Sequence, residues 1–162
     1  IDEITLDEAV EEATQKAMAQ HQESNSAIAR AQRLARNMFD AGELTIAFLI
    51  ATLRQQRVNL FVAGLAERAR IDFRTAWRIV SDRGFESFVV AAKAIGIDRQ
   101  ETTTIVLLLA EAQNPAAVRR PDVLNTIISL YDAVPIEKSR KVLKIWKRDI
   151  NYQKAIDTMN TR

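Results

Sequence analysis

The sequence predicts an all-α fold, a HEAT-like helical-repeat stack of about seven or eight helices in short antiparallel pairs. Three observations support this class. Only 4 Gly and 3 Pro occur in 162 residues, whereas turn-rich sheet proteins use many more. Apolar residues recur at helical spacing along most of the chain. Finally, residues 44–53 and 105–109 form two runs that are apolar on nearly every side, as is typical of helices packed all round in a core.

Length and composition favour a single helical domain, residues 1–162, with an N-terminal helical segment (1–41), a repeat-like core (42–114) and C-terminal helices (115–162). Because the chain begins at Ile1 without a leader, we expect it to be a fragment of a longer protein. Cysteine is absent, which excludes disulfides and thiolate sites and favours the reducing cytoplasm. No run of 18 apolar residues exists, so we expect no membrane span.

The N-terminal segment carries signals for two helices. Thr5 and Glu8 form a capping box, which predicts a helix beginning near Leu6. Its apolar stripe is thin, and the polar residues 20–26 predict a break or an exposed turn. The stripe resumes at residue 28, and Gly42 is expected to end the second helix before the first apolar run.

Caps and turns divide the rest of the chain. Asp72 and Asp98 precede helical segments as N-cap residues, and Gly64 indicates a close helix crossing. Further helices are predicted at residues 60–69, 73–80, 85–96, 99–114, 118–133 and 136–159. Leu49 and Leu108 lie in the two apolar runs, so both are expected to be buried core residues.

A weak internal repeat accompanies these caps. The Ile-Asp pair at residues 71–72 returns at 97–98, and the Ile-Val pair at 79–80 returns at 105–106. Both copies place an acidic cap in a corner between two helices. Stacked helical pairs require such a corner in each unit.

Several stretches of the chain resemble a bacterial family known as domain of unknown function 2336. The resemblance lies in residues 42–113, in residues 131–135, and in Leu143 and Trp146. Its motifs are the entry into a helix at residues 59–63, the turn at residues 81–84 and the exit from a helix at residues 94–97. All three are packing motifs. The resemblance implies a larger all-helical protein with repeat-like helical pairs, and it implies no activity, cofactor or catalytic residue.

Residues 65–80 also resemble the helix-turn-helix of bacterial repressors. In that motif Phe73, Arg74, Trp77 and Arg78 would lie on the outer side of the second helix. The departure is Arg70, where the repressor motif usually has Gly. An outward Trp beside Arg is also typical of protein-binding hot spots, so these four residues are candidate partner-binding residues for a protein or for nucleic acid. The sequence leaves open whether Trp77 is a surface or a core residue.

The last helix is predicted to be amphipathic. Leu143, Trp146 and Ile150 form one stripe, and a candidate basic face formed by Lys141, Lys144 and Arg148 lies opposite. The other end of the chain is acidic, since residues 1–12 hold six acidic and no basic residues. The basic face could follow phosphates, lie on an anionic membrane, meet an acidic protein, or be an ordinary solvated face.

No catalytic chemistry is indicated. His21 is the only histidine, and no glycine-rich phosphate loop occurs. We therefore expect no enzyme activity and no catalytic, cofactor-binding or metal-binding residues. The expected function is protein-protein interaction, as a scaffold or regulatory module with an unknown protein partner. Nucleic-acid binding through residues 65–80 is the alternative, a regulatory piece of a larger signalling or membrane-associated protein is a third interpretation, and homo-oligomerisation is left open.

Overall fold

A computed structural model of the chain describes residues 3–113 and 121–160. Within these residues the structure contains eight α-helices and no β-strand, which confirms the all-α class. The helices are α1 (Glu3–Asp40), α2 (Ile46–Arg54), α3 (Val58–Ala69), α4 (Phe73–Ser81), α5 (Glu86–Ala94), α6 (Arg99–Gln113), α7 (Pro121–Ala133) and α8 (Ile136–Asn160).

The N-terminal segment is one helix of 38 residues, so the predicted break at residues 20–26 is wrong. So is the predicted cap at Thr5, because the helix already includes Glu3. Residues 3–40 contain neither Gly nor Pro, and polarity alone does not stop a helix. The side chains of His21 and Asn25 approach within 3.2 Å one turn apart, which is compatible with the uninterrupted helix. Gly42, with φ +73°, then ends α1 close to the predicted position.

The most buried helix is α3, not the first apolar run. Eight residues of α3 are buried, and α1, α2 and α4 all pack against it. The expectation that α2 would be packed all round is wrong, because only Leu49, Thr52 and Leu53 are buried there and Ala47 is exposed. A nine-residue helix with one neighbour on each flank cannot be covered on every side, whatever its composition.

The second apolar run is likewise buried on one side only. Ile105, Val106 and Leu109 of α6 are buried, whereas Leu107 and Leu108 are half-buried. The prediction that Leu108 is a fully buried core residue is therefore wrong. The prediction for Leu49 is confirmed, since that side chain is 0% exposed.

Gly64 marks the crossing of α2 and α3, as predicted. A Cβ atom on this residue would overlap Leu49 Cδ2 and would lie 3.3 Å from Leu44 Cδ1. The absence of a side chain therefore lets the two helices approach closely, and it fixes the position of Leu49 in the core.

Four helix ends share one corner geometry, in which a residue of positive φ follows the helix and the next amide donates to a carbonyl five residues back. The amide-to-carbonyl bonds are Glu43 to Met38 (2.8 Å), Arg57 to Thr52 (2.9 Å), Ile71 to Ala66 (3.0 Å) and Ile97 to Ala92 (2.9 Å). The residues of positive φ are Gly42, Gln56, Arg70 and Gly96. These bonds use carbonyls that the helix itself leaves without a partner.

The two corners of the internal repeat match in detail. The predicted caps are confirmed, because Asp72 accepts from the Thr75 amide at 2.7 Å and Asp98 accepts from the Glu101 amide at 2.7 Å. The packing beyond the corners differs, however. α3 packs on α4, whereas the main neighbours of α5 are α4, α7 and α8. The repeat-like stack therefore stays a prediction, and the equivalence covers the corners.

The C-terminal helices close the core over α5. The Tyr131 hydroxyl on α7 donates to the Ile97 carbonyl at 2.7 Å, and the Lys93 ammonium lies 4.7 Å from the centre of the Tyr131 ring. Burial, together with the negative charges of Asp98 and Asp132, raises the pKa of Tyr131. The hydroxyl therefore stays a donor over the physiological range and ties α7 to the corner before α6.

Candidate interaction site

Helix α4 presents one apolar face to the core and one face to solvent. Ala76, Ile79 and Val80 are buried, whereas Arg74 and Arg78 are exposed, as predicted. The Asp72 cap sets the start of the helix and therefore decides which residues face outward. We call the outward set, Phe73, Arg74, Trp77 and Arg78, the α4 face.

The two aromatic residues of the α4 face form a stacked pair. Their ring centres are 6.1 Å apart with an interplanar angle of 22°. Phe73 is half-buried and packs against the core, and Trp77 remains 43% exposed. The sequence left open whether Trp77 is core or surface, and the structure places it at the surface. Its indole is held against Phe73, so it offers a large apolar surface in a restricted orientation.

The corner that leads into α4 contains the predicted departure from the repressor motif. Arg70 has φ 56° and ψ 46°, the left-handed conformation that usually favours Gly. The corner still closes, because the Ile71 amide bonds to the Ala66 carbonyl and Ile71 is buried. Two helices of a helix-turn-helix type thus occur where the sequence predicts them.

An open cleft of about 1110 Å³ lies beside Trp77. Trp77 and Asn59 line one side of the cleft, and residues 19–30 of α1 provide the rest of its lining, including the apolar Ala27 and Ile28 and the charged Glu23. The α4 face is therefore part of a concave surface that it shares with α1. No local pattern in the sequence indicates this arrangement, because the two segments are about 50 residues apart.

A second cleft of about 570 Å³ lies on the other side of the same corner. Cationic side chains from three parts of the chain line it, namely Arg33 and Arg36 of α1, Arg70 of the corner and Lys147 of α8. Glu67 and Asp72 line it as well, and the Arg36 guanidinium lies 3.5 Å from the Glu67 carboxylate. The charges partly offset each other, so the cleft is weakly basic.

The α8 basic face occupies the solvent side of its helix. Lys141, Lys144 and Arg148 are exposed, whereas Leu143 is buried and Trp146 is half-buried against the core. The predicted amphipathic pattern is confirmed as far as residue 148. The side chain of Ile150 lies outside the described residues.

The structure also shows a surface that the sequence interpretation missed. All residues from Glu3 to Ser26 are exposed, including Leu6, Val10, Ala13 and Ala17, which form the thin apolar stripe of the N-terminal segment. The available signal was the thinness of that stripe, since two of its four members are alanine. A helix face of this kind is more typical of an interface between helices than of a core.

Among the described residues, no group of three His, Asp or Glu side chains is arranged to hold a metal ion. His21, the only histidine of the sequence, is exposed on α1. None of the helices in the described ranges has the length and hydropathy needed to cross a bilayer.

Comparison with known proteins gives one match. The model of a family described as "Uncharacterised protein conserved in bacteria (DUF2336)" matches residues 2–144. Searches of curated proteins and of solved structures found no match.

Proposed function

We propose that this chain, which belongs to the uncharacterised bacterial family DUF2336, is a non-enzymatic module that binds a protein partner through the α4 face. It would act as a scaffold or regulator in the cytoplasm. The observation that carries the proposal is the exposed Trp77, which is stacked on Phe73 and opens onto a cleft shared with α1.

The composition of the α4 face supports a protein partner. Arg74 and Arg78 flank Trp77 on the exposed side, and Trp and Arg are the residues most enriched among protein-binding hot spots. Apolar residues of α1 extend the surface beyond Trp77. An exposed aromatic residue beside a concave wall that mixes apolar and polar side chains favours a partner that inserts a helix or a side chain into the cleft.

Nucleic-acid binding is the second candidate function. Its support is the exposed pair Arg74 and Arg78 on the second helix of a tight corner. A recognition helix must enter the major groove with its outer side free. Here α1 forms the other side of the cleft, so α4 is flanked by a second helix, and the Glu23 and Arg30 side chains that line the cleft offset each other's charge. We therefore rank the protein partner first.

Replacing Trp77 by alanine is expected to weaken partner binding by about 2 kcal/mol or more, a factor of about 30 in Kd, because the central apolar anchor is lost. Partners would first be captured with the parent chain from nuclease-treated extract of the source bacterium. The captured protein would then be purified and titrated against each variant at about 50 and 200 mM salt, where little dependence on salt is expected for an apolar contact.

The matched control is Ile145→Ala, because Ile145 is an exposed apolar residue on α8. It should bind the partner like the parent. Both variants should keep the parent's melting temperature within a few degrees, since neither side chain is buried. Equal partner binding by folded Trp77→Ala and the parent would refute the role of the α4 face.

A further inference from the structure

The first half of α1 extends from the fold, and no other described part of the chain covers it. Each residue from 3 to 26, here called the α1 arm, is exposed, with Leu6 and Val10 both at 58%. The arm is about 36 Å long at the rise of an α-helix. A helix gains most of its stability from packing an apolar face, so a helix of this length requires a partner for its stripe.

The second half of α1 borders a groove of about 560 Å³, here called the α1 groove. Ala27, Ala31 and Leu34 line it from α1, and Val58 and Leu60 line it from the start of α3. Leu34 is 43% exposed although it lies between these apolar side chains. The groove therefore has an apolar floor, with polar and basic residues such as Arg30 and Arg57 also in its lining.

The arm and the groove have the same residue spacing. The stripe Leu6, Val10, Ala13 and Ala17 advances by four, three and four residues, and so does the stripe Ala27, Ala31, Leu34 and Met38. Two copies of α1 that run antiparallel can therefore place Val10, Ala13 and Ala17 opposite Leu34, Ala31 and Ala27, whereas Met38 packs on the core of its own copy. In that register Val10 faces Leu34 of the second copy, and Ala17 faces Ala27.

The middle of α1 suits this crossing. In the antiparallel register Gln20 of one copy faces Ser24 of the other, next to the two-fold axis. A polar layer inside an otherwise apolar seam fixes the register and the number of chains. The polar stretch that suggested a break in the sequence thus has a role in the pairing of two uninterrupted helices.

The charges select the antiparallel direction. The arm carries Glu3, Asp7, Glu8, Glu11 and Glu12, all exposed, whereas the second half of α1 carries Arg30, Arg33 and Arg36, also exposed. A parallel pair would place the acidic ends side by side. An antiparallel pair places each acidic end beside the basic half of the other copy, and Arg57 adds to the basic side of the groove.

We infer that the chain forms a two-fold symmetric homodimer in which the α1 arm of each copy lies in the α1 groove of the other. Such a contact uses the same surface on both copies, so it closes after two. The inference uses neither Trp77 nor the other residues of the α4 face, although Ala27, Arg30 and Asn59 line both the α1 groove and the cleft beside Trp77. It gives a role to the apolar stripe that the fold itself leaves exposed.

Sedimentation equilibrium of the 162-residue chain should give twice the mass of one copy. Val10→Asp in the arm and Leu34→Asp in the groove should each raise the dimer dissociation constant about tenfold or more, because a carboxylate then faces the apolar seam. Ile145→Asp is the matched control, since it places the same charge at another exposed apolar site. It should sediment like the parent.

Cysteine cross-linking tests the direction of pairing in a chain that has no cysteine of its own. Residues 10 and 34 of one straight helix lie about 36 Å apart, too far for a disulfide within one copy. A mixture of the Val10→Cys and Leu34→Cys variants should therefore form a disulfide-linked dimer on oxidation, and neither variant should do so alone.

Three outcomes would overturn the inference. The first is a parent chain that stays monomeric up to about 100 μM. A dimer dissociation constant above that concentration would be weaker than that of most specific assemblies. The second is a dimer whose dissociation constant is unchanged in both Val10→Asp and Leu34→Asp. The third is efficient cross-linking of Val10→Cys alone, because it would show parallel arms. Failure here would leave the Trp77 experiment interpretable, since Trp77 does not line the α1 groove.

Discussion

Phe88→Ala is expected to lower the free energy of unfolding by about 3–5 kcal/mol, the usual cost of removing a buried phenylalanine ring. Phe88 is 0% exposed, and its ring centre lies 6.3 Å from that of Phe61. It belongs to α5, whose main neighbours are α4, α7 and α8. Because three helices surround the site, no single movement can fill the cavity that the substitution leaves.

Urea unfolding followed by circular dichroism measures this loss directly. The matched control is Phe39→Ala, since Phe39 lies near the end of α1 and is 36% exposed. The control should lose much less stability, because less apolar area leaves water there on folding. Equal losses in the two variants would contradict the placement of α5 inside the core.

Leu49→Ala is expected to cost about 2–5 kcal/mol, whereas Leu108→Ala should cost clearly less. The sequence predicts similar losses, because both residues lie in apolar runs. In the structure Leu49 is fully buried and packs over Gly64, while Leu108 is half-buried at the edge of the core. Half-buried side chains lose less area and leave no closed cavity.

The same urea titration distinguishes the two interpretations. A larger loss for Leu49→Ala supports the structure, in which the α2–α3 crossing is tightly packed. A loss for Leu108→Ala that equals or exceeds it would mean that α6 is covered on all sides, as the apolar run alone suggests. Losses below about 0.5 kcal/mol for both would place the two runs at the surface.

The local signals in the sequence were sufficient for most of the helix boundaries. Asp72 and Asp98 cap the helices they were expected to cap, and Gly42 and Gly96 have the positive φ of a helix end. These features depend on a few neighbouring residues, so no knowledge of tertiary contacts is needed. The close crossing at Gly64 was predictable for the same reason, since a glycine inside a helix is otherwise unfavourable.

The extent to which neighbouring helices bury each helix was not predictable in the same way. Residues 44–53 are apolar on all sides, yet their helix is buried on one side, and α3 is more buried because small residues let three helices pack on it. The polar residues 20–26 lie inside a helix, since no competing contact or glycine interrupts it. How many neighbours surround a helix is decided by the whole fold, and composition reports it only indirectly.

The candidate site contains one feature that the sequence predicted and one that it did not. The outward direction of Arg74 and Arg78 followed from the Asp72 cap and the helical period, whereas that of Trp77 was left open, and the structure places all three at the surface. The cleft beside Trp77 did not follow, because its other side comes from α1. That cleft is the reason for ranking a protein partner above DNA.

The most direct test of this ranking is a titration of the parent chain and of Arg74→Ala with duplex DNA, at salt concentrations from about 50 to 200 mM. Thermal melts would first confirm that both are folded. If the α4 face binds a protein, the parent should bind duplex weakly and nonspecifically, and Arg74→Ala should bind it about as weakly. Tight binding by the parent that falls steeply with salt and is abolished in folded Arg74→Ala would contradict this account and would establish the α4 face as a DNA-binding surface.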